Sequence, residues 1–145
     1  MSILKVARLG HPVLRKISLE VRPSEINSSE YQRLIDDMIL TMKEYDGVGL
    51  AASQVHESLQ IAVLEVADNP RYPNKPQIPL TVLINPKITP LTEKTEEDWE
   101  GCLSISELRG KVPRFKQIKI SAQDRDGNDL NFVASGFHAR VISIN

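Results

Sequence analysis

One stretch of helical periodicity is long and regular enough to dictate an element by itself. Over residues 28–45 the apolar side chains of Tyr31, Leu34, Ile35, Met38, Met42 and Tyr45 recur at three- and four-residue spacing, the pattern of a helix with one buried face. Asp36, Asp37, Lys43 and Glu44 fall mostly on the other side. Asn27, with Glu30 three residues on, reads as a capping-box-like start. Such a stripe has to be covered, and the rest of the chain offers strands to cover it. Residues 59–66 and 80–84 are rich in branched side chains, the second run closed by Asn85-Pro86. Residues 88–91 make a short further strand. Residues 117–123 and 129–134 make a hairpin about the turn pair Asp126-Gly127. Residues 137–142 open a second helical pattern after Gly136.

The segments between these elements read as irregular. Residues 1–23 form an arm in which Gly10 and Pro12 mark a turn, with His11 partly exposed beside it. Residues 68–79 hold four prolines among polar residues and read as a solvated loop, with His56 in another loop just before the first strand. The mixed charges of residues 93–98 suit a solvated edge, and residues 109–114 a basic loop too short for nucleic acid.

At 145 residues the chain is expected to be one domain, 1–145, with a core of its own. A net charge of -1 gives no electrostatic basis for binding nucleic acid or an anionic membrane. No apolar run reaches membrane-spanning length, and Met-Ser-Ile-Leu-Lys lacks the apolar stretch of a secretory signal. A single cysteine forms no internal disulfide, so the expected location is the cytoplasm.

Three short motifs stand apart from this framework. Gly-Val-Gly-Leu-Ala-Ala-Ser-Gln occupies residues 47–54, Glu-Gly-Cys-Leu-Ser residues 100–104, and Gly-Phe-His-Ala-Arg-Val-Ile residues 136–142. Taken singly, each has an ordinary reading. Gly47 and Gly49 permit unusual dihedrals and close backbone approach, but equally end a helix ahead of a tight turn. Gln54 is a neutral amide able to donate to a carbonyl oxygen. Cys102 is either a small packed hydrophobe or one third of a metal site.

Taken in order and spacing, the three motifs resemble those of peptide deformylases, the hydrolases that remove the formyl group from the initiator N-formylmethionine of new proteins. The Gly-His-Pro-Val-Leu-Arg arm and the following helix are also similar, so the resemblance covers essentially the whole chain. It implies an α+β fold in which antiparallel and mixed sheets surround a helix. It implies Cys102 as a thiolate metal ligand. Leu103, through its backbone N–H, and Gln54, through its side-chain amide, would polarise the formyl oxygen, an oxyanion-hole arrangement. Val48 and Gly49 match backbone positions that pair with the substrate peptide as an added strand. Glu100 and Gly101 line the same groove. Phe137, Arg140 and Val141 fall where the family builds the pocket for the methionine side chain. Ser53 and Ser106 stand where proline is common, changes expected to be tolerated. The implied substrates are N-formylmethionyl peptides, including ribosome-associated nascent chains. The implied metal is Fe2+, replaceable by Zn2+ or Ni2+.

The third motif is where the sequence departs. The family continues into Gln-His-Glu-x-x-x-His, whose two histidines share a helical face and bind one metal while the glutamate acts as general base. Here Ser143, Ile144 and Asn145 stand at the Gln, His and Glu positions, and the second histidine has no counterpart. Of the other histidines, His138 lies six residues before the missing ligand and points to a different face, and neither His11 nor His56 has ligand spacing with Cys102. Three expectations follow. The C-terminal metal-binding helix is missing, through a shifted reading frame, an interrupted gene or an incomplete sequence. The chain binds less than one metal, or none, and is catalytically deficient. Loss of that helix uncovers the apolar faces of strands 59–66 and 80–84 and favours self-association. The alternative is a non-catalytic relative that keeps the groove and binds N-terminal methionyl peptides.

Overall fold

The computed structural model describes residues 2–70, 72–102 and 104–144 and, of residues 102, 105–108 and 144, the backbone alone. The periodic segment forms helix α1, Ser29–Glu44. Its N-cap is Ser28, whose hydroxyl accepts from the Tyr31 N–H, so the start lies one residue beyond the expected Asn27. Ile35, Met38 and Met42 are buried as the stripe requires, whereas Tyr45 is exposed. Asp37 departs from the pattern. It is buried on the face assigned to solvent because the arm lies over it. The Ser2 N–H donates to its carboxylate at 2.7 Å, and the Leu4 N–H donates to the Thr41 hydroxyl at 2.8 Å.

The helix ends in a left-handed stop in which the residue at positive φ is Asp46 (φ 53°), not a glycine. The Gly47 N–H returns to the Met42 carbonyl and the Asp46 N–H to that of Lys43. The expected tight turn therefore holds a strand, β1, Gly49–Ala51, followed by a 3-10 turn, Ala52–Val55.

Strands β2, Ile61–Val66, and β3, Ile78–Pro90, continue the sheet, and β6, Gln117–Gln123, and β7, Asp129–Ser135, complete it. The five strands lie in the order β1-β2-β3-β6-β7, every neighbour antiparallel. The β6–β7 connection is a five-residue loop, 124–128, rather than a two-residue turn. Gln123 pairs with Asp129, and the Asp124 carboxylate accepts from Asp126 and Asn128.

The two short strands expected over 80–91 are one strand, because Asn85-Pro86 makes a bulge instead of an end. β3 pairs with β2 up to Ile84 and with β6 at Ile84 and again from Lys87 to Pro90, the bulge lying between. Asn85 is left-handed (φ 53°), and its side-chain amide receives the Val21 N–H at 2.8 Å and donates to the Val21 carbonyl at 2.7 Å.

The charged segments also differ from expectation. Residues 93–98 belong to strand β4, Thr95–Cys102, and residues 109–114 to β5, Ile105–Phe115, which together form a separate two-stranded sheet. Across the ribbon the Arg114 guanidinium of β5 pairs with the Glu100 carboxylate of β4 at 2.9 Å, and Trp99 faces Lys111, whose ammonium lies 5.9 Å from the indole ring centre.

Gly136 turns the chain from β7 into helix α2, Gly136–Ile144. Its N–H still donates to the Lys116 carbonyl at 2.8 Å while its φ of +59° begins the turn. The helical pattern expected to open after Gly136 thus runs through residue 144. Ala139, Val141 and Ile142 pack with Leu64, Val66, Ile78 and Leu83 on one face of the sheet. Ile35, Met38 and Met42 of α1 pack with Ile61, Val63, Val82 and Ile84 on the other. Burial on both faces accounts for the apolar run Ile61–Leu64 of β2. Among the described residues no helix is long and apolar enough to cross a membrane.

Replacing Asn85 with alanine removes its paired hydrogen bonds to Val21 and leaves a side chain in a left-handed conformation. The expected loss is about 2–3 kcal/mol in urea unfolding. Asn85→Gly should recover about 1 kcal/mol of it, because only the backbone part of the loss is relieved.

Candidate functional site

The three motifs converge. Gln54, on the 3-10 turn after β1, accepts the Ala51 N–H on Oε1 at 3.0 Å and donates from Nε2 to the Ser104 hydroxyl at 3.3 Å. The amide is thereby oriented with its donor edge toward Ser104. The arm stitches both motifs together, since the Ala7 N–H donates to the Gln54 carbonyl and the Leu9 N–H to the Ser104 carbonyl. Val48 is buried beside Val141 and Ala139, and Gly49 pairs with Leu64 at the sheet edge. Cys102 ends β4, where the ladder shifts register between Gly101 and Cys102. The Cys102 side chain and Leu103 lie outside the described residues.

Charge joins the second and third motifs. The Glu100 carboxylate, 8 % exposed, receives Arg140 Nη1 at 2.6 Å on one oxygen and is gripped by Arg114 through Nε at 3.0 Å and Nη2 at 2.9 Å. Arg140, 4 % exposed, also donates to the Val112 carbonyl at 2.8 Å and to the Glu96 carbonyl. Glu100 holds the Arg114 guanidinium firmly in its charged form. Arg140 therefore spans both strands of the β4–β5 ribbon from α2, and its charge is engaged in that span. Val141 is wholly buried in the core, and Phe137 packs on Tyr72 with ring centres 5.5 Å apart.

Sequence reasoning passed over Tyr72, Ser104 and Arg114. Tyr72 was placed in a solvated loop, yet it is buried and its hydroxyl accepts the Gly101 N–H at 3.2 Å. The one available signal was an aromatic residue in an otherwise polar, proline-rich stretch.

The family resemblance implies a metal. Among the described residues no three His, Cys, Asp or Glu side chains come together. His138 turns away from the ribbon and stacks on Phe132 of β7 at 5.7 Å. His11 and His56 meet edge to face at 4.6 Å, with His11 Nδ1 accepting the Val13 N–H. His138 Nε2 is buried without a hydrogen-bond partner among the described residues, and burial pushes its pKa below the usual imidazole range.

Comparison with known proteins gives a consistent result. The family model for polypeptide deformylase matches residues 3–143. The chain is 44% identical over 140 residues to peptide deformylase 1 of Nitrosomonas europaea, covering 97% of this chain and 78% of that protein. It is 44% identical over 140 residues to peptide deformylase 2 of Pseudomonas putida, covering 97% of this chain and 79% of the relative. The crystal structure of the class I type b peptide deformylase of Acinetobacter baumannii with Met-Ala-Ser bound superposes with a TM-score of 0.93 at 35% identity, covering 97% of this chain and 89% of the other.

Two outcomes are expected from the charges described here. Arg140→Met leaves Glu100 buried with only one partner and should cost about 3–5 kcal/mol in urea unfolding; Arg114→Met, at a partly exposed site, should cost about 1–2 kcal/mol. A lowered His138 pKa means that the unfolded chain binds the proton more readily. Stability should therefore fall as the pH drops below about 6.5, and His138→Leu should flatten that slope when unfolding is compared at neutral and mildly acidic pH.

Proposed function

Since the chain belongs to the polypeptide deformylase family, we propose that its motifs build the groove in which a hydrolase of this kind holds the N-formylmethionyl end of a peptide. One observation carries the reading: the Gln54 amide donates to Ser104, bringing the 47–54 and 100–104 motifs to a single point. In this arrangement Val48 and Gly49, at the exposed end of the sheet order, pair with the peptide backbone as an added strand. Glu100 and Gly101 form the facing wall, and Phe137 receives the methionine side chain with Val141 in the core behind it. Arg140 holds that wall to α2. The Relative with Met-Ala-Ser bound supports a methionyl peptide as ligand.

The proposed catalytic roles belong to Gln54 and Leu103. In this role the Gln54 Nε2–H and the Leu103 backbone N–H donate to the formyl oxygen and stabilise the charge that develops there. Loss of one such donor in an active hydrolase costs about 2.7–4 kcal/mol of barrier. Cys102 is the proposed thiolate ligand of the family's metal, with iron, zinc or nickel as candidates. A catalytic metal needs about three protein ligands. With Ile144 and Asn145 at the positions of the first histidine and the glutamate, the 145 residues do not complete that site, and we infer strongly impaired hydrolysis for the chain as given. Cytoplasmic action on nascent chains is part of the same proposal.

Metal analysis and a formyl-peptide assay on one sample test this reading. The expected result is less than one metal per chain and no appreciable hydrolysis, with Met-Ala-Ser binding retained in calorimetry. One tightly held metal per chain with ordinary turnover would overturn the deficiency. Gln54→Leu should weaken formyl-Met-Ala-Ser about tenfold, the weight of one hydrogen bond, and Met-Ala-Ser less.

A further inference from the structure

Tyr72 occupies a position that neither its loop nor the motifs around it explain. The segment between β2 and β3 is polar and rich in proline, yet this side chain is only 8 % exposed. A buried tyrosine needs a partner for its hydroxyl, and here the partner is the backbone N–H of Gly101, donating at 3.2 Å. Its ring lies 5.5 Å from that of Phe137, tilted by 49°. On Tyr72 itself, the Arg109 guanidinium of β5 lies 4.7 Å from the ring centre, within the range of a cation–π contact. Lys75, three residues along the same loop, bonds Asp98 of β4 at 2.8 Å and lies 5.4 Å from the centre of the Phe137 ring. One side chain thus contacts β4, β5 and the first turn of α2, and a lysine from the same loop repeats the link from β4 to Phe137.

We propose that Tyr72 is a positioning and specificity-determining residue of the peptide groove. It fixes the separation between the wall at Gly101 and the pocket residue Phe137, and so sets which N-terminal side chain the groove accepts. This rests on the reading of the groove as a methionyl-peptide site. The hydroxyl and the ring have separable parts. The hydroxyl holds the β4 backbone next to the register shift at Cys102. The ring limits how far Phe137 can move toward the loop. Methionine is long and unbranched, and a pocket selective for it must be closed at a defined depth.

The test uses the full chain with Tyr72→Phe and Tyr72→Ala, read by calorimetry with Met-Ala-Ser, norleucine-Ala-Ser, Phe-Ala-Ser and Ala-Ala-Ser, and by hydrogen exchange at the Gly101 amide. Tyr72→Phe keeps the ring and should unfold at nearly the wild-type temperature. It should still bind all four peptides in the wild-type order, but about tenfold more weakly, and Gly101 should exchange faster. Tyr72→Ala should bring Phe-Ala-Ser to within about threefold of Met-Ala-Ser. Should Tyr72→Ala not fold, Tyr72→Leu serves for the ring. A purely structural role would leave Tyr72→Phe with wild-type affinities, and wild-type Gly101 exchange in that variant overturns the positioning role. Unchanged peptide preference in the ring variants overturns the specificity role. A wild-type chain that binds no methionyl peptide overturns the groove reading and the specificity role together, while Gly101 exchange still decides the positioning role.

Discussion

The buried pair of Glu100 and Arg140 is the interaction on which the arrangement of the site depends. Two charges removed from water must recover their hydration through geometry, and here they do so through several bonds at once. Glu100 is held by two guanidinium groups, and Arg140 spends its remaining donors on carbonyls of both ribbon strands. The planar fork of arginine can reach several acceptors from one helix position, which the point charge of a lysine cannot. The pair lies two residues from Cys102 and four from Ile144. It therefore sets where the end of β4 sits relative to the helix on which the family carries its histidines.

That placement also relies on the rest of the fold being stiff. The five-stranded sheet is covered on one face by α1 and on the other by α2, and the arm is fastened to α1 through Asp37 and Thr41 before it reaches Gln54. Gln54 is consequently held from two sides, by the Ala51 N–H at the end of β1 and by the arm on its own carbonyl. A donor held in this way needs little reorganisation to meet an acceptor.

Much of this was legible in the sequence, and the parts that were not share a cause. Helix α1, β2 and the β6–β7 hairpin follow from local periodicity, because their partners lie close in sequence or cover a whole face. Residues 93–98 and 109–114 were read as edge and loop because strand propensity is low for charged residues. Their pairing brings opposite charges together across the ribbon, Arg114 of β5 on Glu100 of β4. Asn85-Pro86 carried a turn signature but sits in a bulge, where its side chain does for Val21 what a neighbouring strand would otherwise do. The burial of Tyr72 and Asp37 depends on what lies across from them in space, and no window of sequence contains that information. The convergence of Gln54, Ser104, Glu100 and Arg140 was legible only as a resemblance between motifs; its electrostatics became visible with the coordinates.

The β4–β5 ribbon has a further consequence when the topology is followed past it. Without it, β1-β2-β3-β6-β7 is a simple antiparallel meander. The ribbon leaves that meander and returns at nearly one point, where the Leu91 N–H meets the Gln117 carbonyl and the Lys116 N–H meets that of Lys94. It is an insertion with a closed base. The register of the sheet beneath does not pass through the ribbon, which is tied to α2 instead through Glu100 and Arg140. The scaffold and the wall that carries Cys102 are thus under separate constraints, the one to remain folded and the other to remain aligned.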